Sequence, residues 1–265
     1  MATKQDPLLA SATPRHPAPV PKTFRLPGSR TDESGKPIHN ILLLSITDLE
    51  FDTLRPHLDP VDLPQEYILN EAGEKIEFAY FMNTGMTSLV VSTSEGRSCE
   101  IGIIGKEGMV GAPIAVGLRH APYRAVIQIA GQGLRIRADV LADLLVTSPG
   151  LKEQLLRYVF LQGFQVAQAA ACNRLHEIEQ RLARWLLMCQ DRVDSEVLFL
   201  THEFLANMLG TGRPTVTLAS GVLQRAGLIE NLRGTVRIVN RKSLEAAACE
   251  CYSVIQNYNG GLGLR

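Results

Sequence analysis

The hydrophobic period of this chain changes once, near residue 150, and that change limits the folds open to it. From residue 41 to about 138, short β-rich runs (66–70, 79–82, 88–92, 99–104, 125–130 and 134–136) alternate with glycine breakers such as Gly73, Gly85, Gly96, Gly105, Gly111 and Gly131. Many short strands at this spacing predict an antiparallel barrel or sandwich. Helical signals bracket the runs: Thr47 suits an N-cap before Leu49, Phe51 and Leu54, and Asp139 opens another short helical stretch. Beyond Leu151 the apolar residues recur at Leu155, Tyr158, Val159, Val166 and Ala169. They continue at Leu175, Ile178, Leu182, Trp185, Leu186 and Cys189, the three-and-four spacing of amphipathic helices. Gln162, Gln165 and Gln168 and the small residues of 167–171 give the first of these helices a mixed seam. Such a seam suits a subunit interface, and a helix packed on its own barrel accounts for it almost as well.

Seven of the 14 prolines fall in the first forty residues with little apolar material between them, so 1–40 reads as a flexible Pro-rich tail. The remainder divides into a strand-rich segment (41–150), a helical segment (151–190), a C-terminal segment (191–258) and a short tail (259–265). With 45% hydrophobic and 20% charged residues the chain has material for a real core. No aliphatic run approaches a membrane span, and the N-terminus lacks a secretory pattern, which predicts a cytoplasmic protein without membrane contact. The five cysteines lack CxxC spacing and predict reduced thiols. Cys172 and His176 are four apart and Cys249 and Cys251 flank Glu250; read separately, each pair lacks two ligands, so no metal and no cofactor is expected. No nucleophile with a base, paired carboxylates or P-loop appears at informative spacing, so an enzyme is not expected.

Residues 200–242 carry the most specific signal. Thr201 suits the N-cap of a helix burying Phe204, Leu205, Met208 and Leu209; Gly210-Thr211-Gly212 breaks it; and Arg213-Pro214 opens a second helix, with Pro in a first-turn position. The second helix is expected to bury Val216, Ala219, Val222 and Leu223 and to stop at Gly227. Two strands joined at Arg233-Gly234 then form a wing. The chain as a whole is neutral, 27 basic against 27 acidic residues, yet from Arg213 to Lys242 six basic residues face one acid, Glu230. A basic second helix and a basic wing are the parts of a reader of duplex DNA, the helix entering the major groove and the wing neutralising phosphates. The candidate DNA contacts are Thr201, Arg213, Thr215, Thr217, Arg233 and Arg237.

The order of a glycine-punctuated β-roll, a long helix and a C-terminal winged helix resembles the Crp/Fnr family of bacterial transcription regulators over roughly residues 41–255. The carrying stretches are 67–73 with 81–85, Gly105-Lys106-Glu107-Gly108 leading to Gly111, and 200–216 with its Gly210-Thr211-Gly212-Arg213-Pro214-Thr215-Val216. The resemblance implies an α+β fold: an antiparallel cyclic-nucleotide-binding-like roll, a dimerisation helix and a winged helix-turn-helix. It also implies a homodimer on a near-palindromic duplex, with RNA polymerase as a further partner and a small-molecule effector of unspecified identity. Three departures matter. Where cyclic-AMP-binding members have Gly-Glu-Leu and Arg-Ser/Thr-Ala, this chain has Gly111-Ala112-Pro113 and Tyr123-Arg124-Ala125, so a ribose acceptor is missing and Gly111, Tyr123 and Arg124 are what remains of the ligand site. The first cysteine is Cys99, which does not support an N-terminal iron–sulfur cluster, and His120 is the only nearby imidazole for a haem. In the recognition helix, Arg-Glu-Thr-Val-x-Arg becomes Arg213-Pro214-Thr215-Val216-Thr217-Leu218, so the target sequence should differ from the best-known family site. The expectation is a dimeric, sequence-specific regulator whose roll is not a standard cyclic-AMP site. The alternatives are a cyclic-nucleotide-dependent regulator with altered contacts, and a protein-interaction scaffold that binds no DNA.

Overall fold

The computed structural model describes residues 25–96 and 98–261; the outer parts of the expected tails, 1–24 and 262–265, lie outside them. Residues 25–40 do not behave as their composition predicts. They fold back on themselves, Gly28 N–H donating to the Ile38 carbonyl at 2.8 Å and Ile38 N–H to Arg30 at 2.8 Å. The buried Arg30 guanidinium donates to the carbonyls of Leu43 and Ile46, pairs with Asp48 at 2.7 Å and lies 4.6 Å above the Phe51 ring. Composition counts apolar side chains, whereas here one cation satisfied on several sides anchors a segment with few of them. Asn40 then caps α1 (Ile41–Leu44) and its amide donates to the carbonyls of Met82 and Gly108, fixing the entry to the roll. Thr47 and Glu50 form a reciprocal capping box at α2 (Asp48–Leu54).

The roll consists of β1 (Asp59–Leu63), β2 (Ile68–Asn70), β3 (Phe78–Met82), β4 (Met86–Ser92), β5 (Ser98–Ile104), β6 (Met109–Val110), β7 (Arg124–Ile129) and β8 (Gly131–Arg137). They form two antiparallel sheets, ordered β1-β8-β3-β6 and β2-β7-β4-β5. Leu63, Leu69, Met82, Leu89, Ile104 and Ile127 fill the space between them. Strand β1, which carries Pro60, sits at an edge, where a missing backbone donor is tolerated.

Helix α3 (Ala138–Thr147) leads into the 27-residue α4 (Pro149–Leu175), which shares a second core with α1 and α2 through Leu151, Leu155, Tyr158 and Leu161. His176 and Glu177 are extended, and α5 (Ile178–Val193) starts a new axis. A third core unites α5 with β9 (Val197–Leu198), α6 (His202–Leu209), α7 (Arg213–Arg225), β10 (Ile229–Leu232), β11 (Thr235–Ile238), α8 (Arg241–Ala247) and α9 (Cys251–Gly261). Helix α5 therefore belongs to the C-terminal domain and is not a connector ending at residue 190: Leu182, Leu186 and Cys189 are buried against it. The expected tail from 259 is likewise corrected, since Asn259 is buried within α9 and accepts from Gln165 of α4 at 3.3 Å. No helix among the described residues is long and apolar enough to cross a membrane.

Candidate functional site

Thr201 accepts from Phe204 N–H and starts α6; Gly210 takes a left-handed conformation (φ 60°) that only glycine adopts at little cost; and Gly212 precedes α7 with Pro214 in its first turn. In α7, Val216, Ala219, Ser220 and Leu223 are buried. Val222, expected in the core, is instead 40% exposed and Ser220 takes the inward place, bonded to Asn231 of β10 at 2.6 Å. Asn231 also donates to Gln224 at 2.8 Å, so the wing is clamped to the helix it flanks.

The candidate DNA contacts separate into two groups. Arg213, Thr215 and Arg233 are exposed, and the two arginines have no ion-pair partner among the described residues; Gly234 (φ 73°) turns the wing so that Arg233 lies at its tip. Thr201 and Thr217 are exposed but committed locally. Thr217 donates to the Arg213 carbonyl at 3.0 Å, with His202 Nδ1 at 3.1 Å, the back-bonding that a helical threonine favours. Arg237 is paired with Glu230 across the wing at 3.1 Å, and Arg241 is turned inward to Asp191, Glu245 and Tyr252. The free positive charge of this face is therefore smaller than the sequence count. Leu218, 72% exposed, joins Val222 on the same face; the period of α7 assigns them outward only once the inward row is known. Apolar side chains there match the thymine methyl group in the major groove.

Two spaces adjoin the candidate ligand residues: an inner cavity, and an apolar groove of about 350 Å³ between the roll and α4 that shares Leu89, Ala112, Tyr123 and Gln162 with it. The cavity lined by Gly111, Ala112, Tyr123, Leu89, Ile104 and Gln162 measures about 10 Å³, roughly the space of one water-sized sphere. Gly111 is required for shape: its φ is 98° and an added Cβ would lie 3.1 Å from Ala79. Tyr123 lines the cavity and burial pushes its hydroxyl up. Arg124 does not point inward. It is exposed and bound to Glu71 by two 2.8 Å contacts, so Gly111 and Tyr123 are brought together and Arg124 is not. His120 forms an isolated β-bridge with Lys75.

The Gly105-Lys106-Glu107-Gly108 turn joins the domains. Glu107 pairs with Arg192 of α5 at 2.8 Å, both side chains nearly inaccessible; Lys106 reaches Asp194; and Tyr158 of α4 fills the space above Gly108. Nearby, the Trp185 indole of α5 donates to Glu100 of β5 at 2.7 Å, and burial raises the Glu100 pKa to about 7. The two cysteine pairs, read separately in the sequence, converge: Cys172, His176, Cys249 and Cys251 bring their ligand atoms within 4.8 Å of one another. Spacing along the chain could not reveal this, because the pairs are joined only by the packing of α4 on α9.

Comparison with known proteins agrees with this architecture. Residues 180–247 match the Crp-like helix-turn-helix domain family. FixK2 from Bradyrhizobium japonicum superposes with a TM-score of 0.62 at 15% identity, covering 72% of this chain and 98% of that one. The c-di-GMP responsive global regulator CLP of Xanthomonas campestris gives a TM-score of 0.59 at 16% identity, over 71% and 97% of the two chains. A CRP-family transcriptional regulator from Thermus thermophilus gives 0.59 at 19% identity, over 71% and 96%. At such identities the likeness is one of fold. No curated protein matches the chain.

Proposed function

We propose that this chain, a Crp/Fnr-type regulator fold with a Crp-like helix-turn-helix domain, is a sequence-specific DNA-binding transcription regulator that acts as a homodimer without a standard cyclic-AMP site. The observation that carries the reading is the exposure, side by side, of the first turn of α7 with Arg213 and Thr215, its outer face with Leu218, and the wing tip with Arg233. The helix supplies contacts to base edges and the wing a contact to phosphate. Homodimerisation rests on α4: Leu156 and Phe160 are 40% and 65% exposed, and beside them runs an apolar groove of about 350 Å³ bordered by Val116, Leu118, Val159 and Val166. A second copy of α4 would cover both. Against ordinary cyclic-AMP binding stand Ala112, which offers no acceptor for a ribose hydroxyl, and the outward pairing of Arg124 with Glu71.

Selection of bound duplexes from a random pool, with no effector added, tests this. The expected outcome is a two-fold-symmetric motif with half-sites about one helical turn apart. Arg213→Ala should relax preference at one position per half-site, with a loss of about 1–3 kcal/mol on the matched duplex only. Arg233→Ala should weaken all duplexes alike and lower the salt slope by about one. Equal losses on matched and mismatched duplexes for both variants would refute these roles. Calorimetry with cyclic AMP and cyclic GMP checks the roll; no heat of binding is expected.

A further inference from the structure

The geometry points to a structural zinc site formed by Cys172, His176, Cys249 and Cys251, which fastens the C-terminal end of α4 to the first residue of α9. Cys172 Sγ lies 3.5 Å from Cys249 Sγ, and Cys251 Sγ lies 3.6 Å from His176 Nδ1. Zinc bound to sulfur at about 2.3 Å in a tetrahedron places its ligand atoms about 3.8 Å apart; these two pairs lie close to that, and all four ligand atoms fall within 4.8 Å of one another. An iron–sulfur cluster holds its cysteines around several metal atoms and needs a wider set. Three thiols and one imidazole form one of the closed, four-ligand donor sets used for structural zinc.

The surroundings fit the same ion. All three cysteines are buried. His176 directs Nδ1 at the sulfurs while its Nε2 meets Glu250 Oε1 at 3.1 Å, the carboxylate–histidine arrangement that orients a metal-bound imidazole. Gln168 donates from Nε2 to Cys251 Sγ at 3.1 Å, a bond that favours a thiolate. The chain geometry serves the site as well. α4 ends at Leu175, so His176, in extended backbone, turns its ring back over Cys172, and the Cys249-Glu250-Cys251 step returns the chain from α8 to α9. Without an ion, three thiols packed together forgo the apolar contacts that three aliphatic residues would make in their place. With one, the deprotonated ligands and their partners are all satisfied, and the binding free energy becomes stability of the α4–α9 contact.

The test uses the full-length protein, purified under reducing conditions without added metal. Elemental analysis should find about one zinc per chain. After exchange, the Co²⁺ form should show the intense visible bands of tetrahedral cobalt and a thiolate charge-transfer band. Cys249→Ser and Cys251→Ser should lose the metal, whereas Cys99→Ser, outside the cluster, should retain it. Glu250→Gln, at an exposed residue, should fold normally and lower zinc affinity about 10–100-fold. It therefore decides the matter even where a cysteine variant does not fold. The proposal is overturned by a wild-type protein with far less than one zinc and an octahedral Co²⁺ spectrum, by iron in place of zinc, or by an unchanged affinity in Glu250→Gln.

Discussion

Glu100 is a carboxylate placed where charge is costly. It is buried between β5 and α5, and burial outweighs the Ser88 and Trp185 hydrogen bonds to hold its pKa at about 7, against 4.5 for an ordinary glutamate. A folded-state pKa above the unfolded value means that the folded protein binds the extra proton between those limits. The associated stabilisation is fully present below about pH 4.5 and is lost as pH rises through about 7. The contribution is on the order of 3 kcal/mol. Thermal melts by circular dichroism between pH 5.5 and 8.5 should show stability falling with pH. Glu100→Gln, which keeps an acceptor for the indole but cannot ionise, should flatten that profile. A profile unchanged in the variant would assign the pH response to another group.

At the scale of elements, the 105–108 turn explains a motif that the sequence presents only as a resemblance. Gly108 is fixed by contact, since a Cβ there would come within 2.1 Å of Tyr158 Oη. Gly108→Ala should cost about 1–3 kcal/mol in denaturant unfolding through overpacking. Glu107→Ala should cost about 3–5 kcal/mol, because it leaves Arg192 charged and buried without its partner. Six of the eight strands of the roll, the paired helices and the wing were legible because glycine punctuation and the period of the apolar residues determine them locally, whereas β1, polar and carrying Pro60, and the two-residue β6 matched no predicted run. The 25–40 segment was not, because Arg30 stabilises it through carbonyl groups that leave no mark on hydropathy. Ser220 rather than Val222 faces inward because it lies one turn after Val216 and in line with Ala219 and Leu223, whereas Val222 is about 200° further round the helix, and the Asn231 hydrogen bond satisfies the Ser220 hydroxyl there. The candidate contact Arg237 and the basic residue Arg241 were readable as charges, while their neutralisation by Glu230 and Asp191 depends on packing across strands and helices. The cysteine–histidine quartet is the extreme case, its halves separated by more than seventy residues.

For the whole molecule, the neutral total charge means that long-range attraction to DNA depends on a few exposed cations and should fade within about one Debye length, roughly 8–10 Å in physiological salt. Two such faces acting together would compensate, which makes self-association central to the proposed activity. Phe160→Glu puts a charge on the exposed face of α4 without touching a buried core residue. In sedimentation it should shift the protein from dimer to monomer and lower affinity for a two-half-site duplex at least tenfold, while leaving the melting temperature of the monomer nearly unchanged. A variant that remains dimeric would place the interface on another surface.

The bond between Trp185 and Glu100 has an optical consequence. The chain contains a single tryptophan, and its indole lies at the junction where α5 rests on the roll. All tryptophan emission therefore originates at one joint, in a buried setting beside a carboxylate. Movement of the reading domain away from the roll would wet that ring and displace its emission to longer wavelength. The protein thus carries an intrinsic, label-free gauge of its own domain coupling, readable in a stopped-flow cell while DNA or a candidate effector is added.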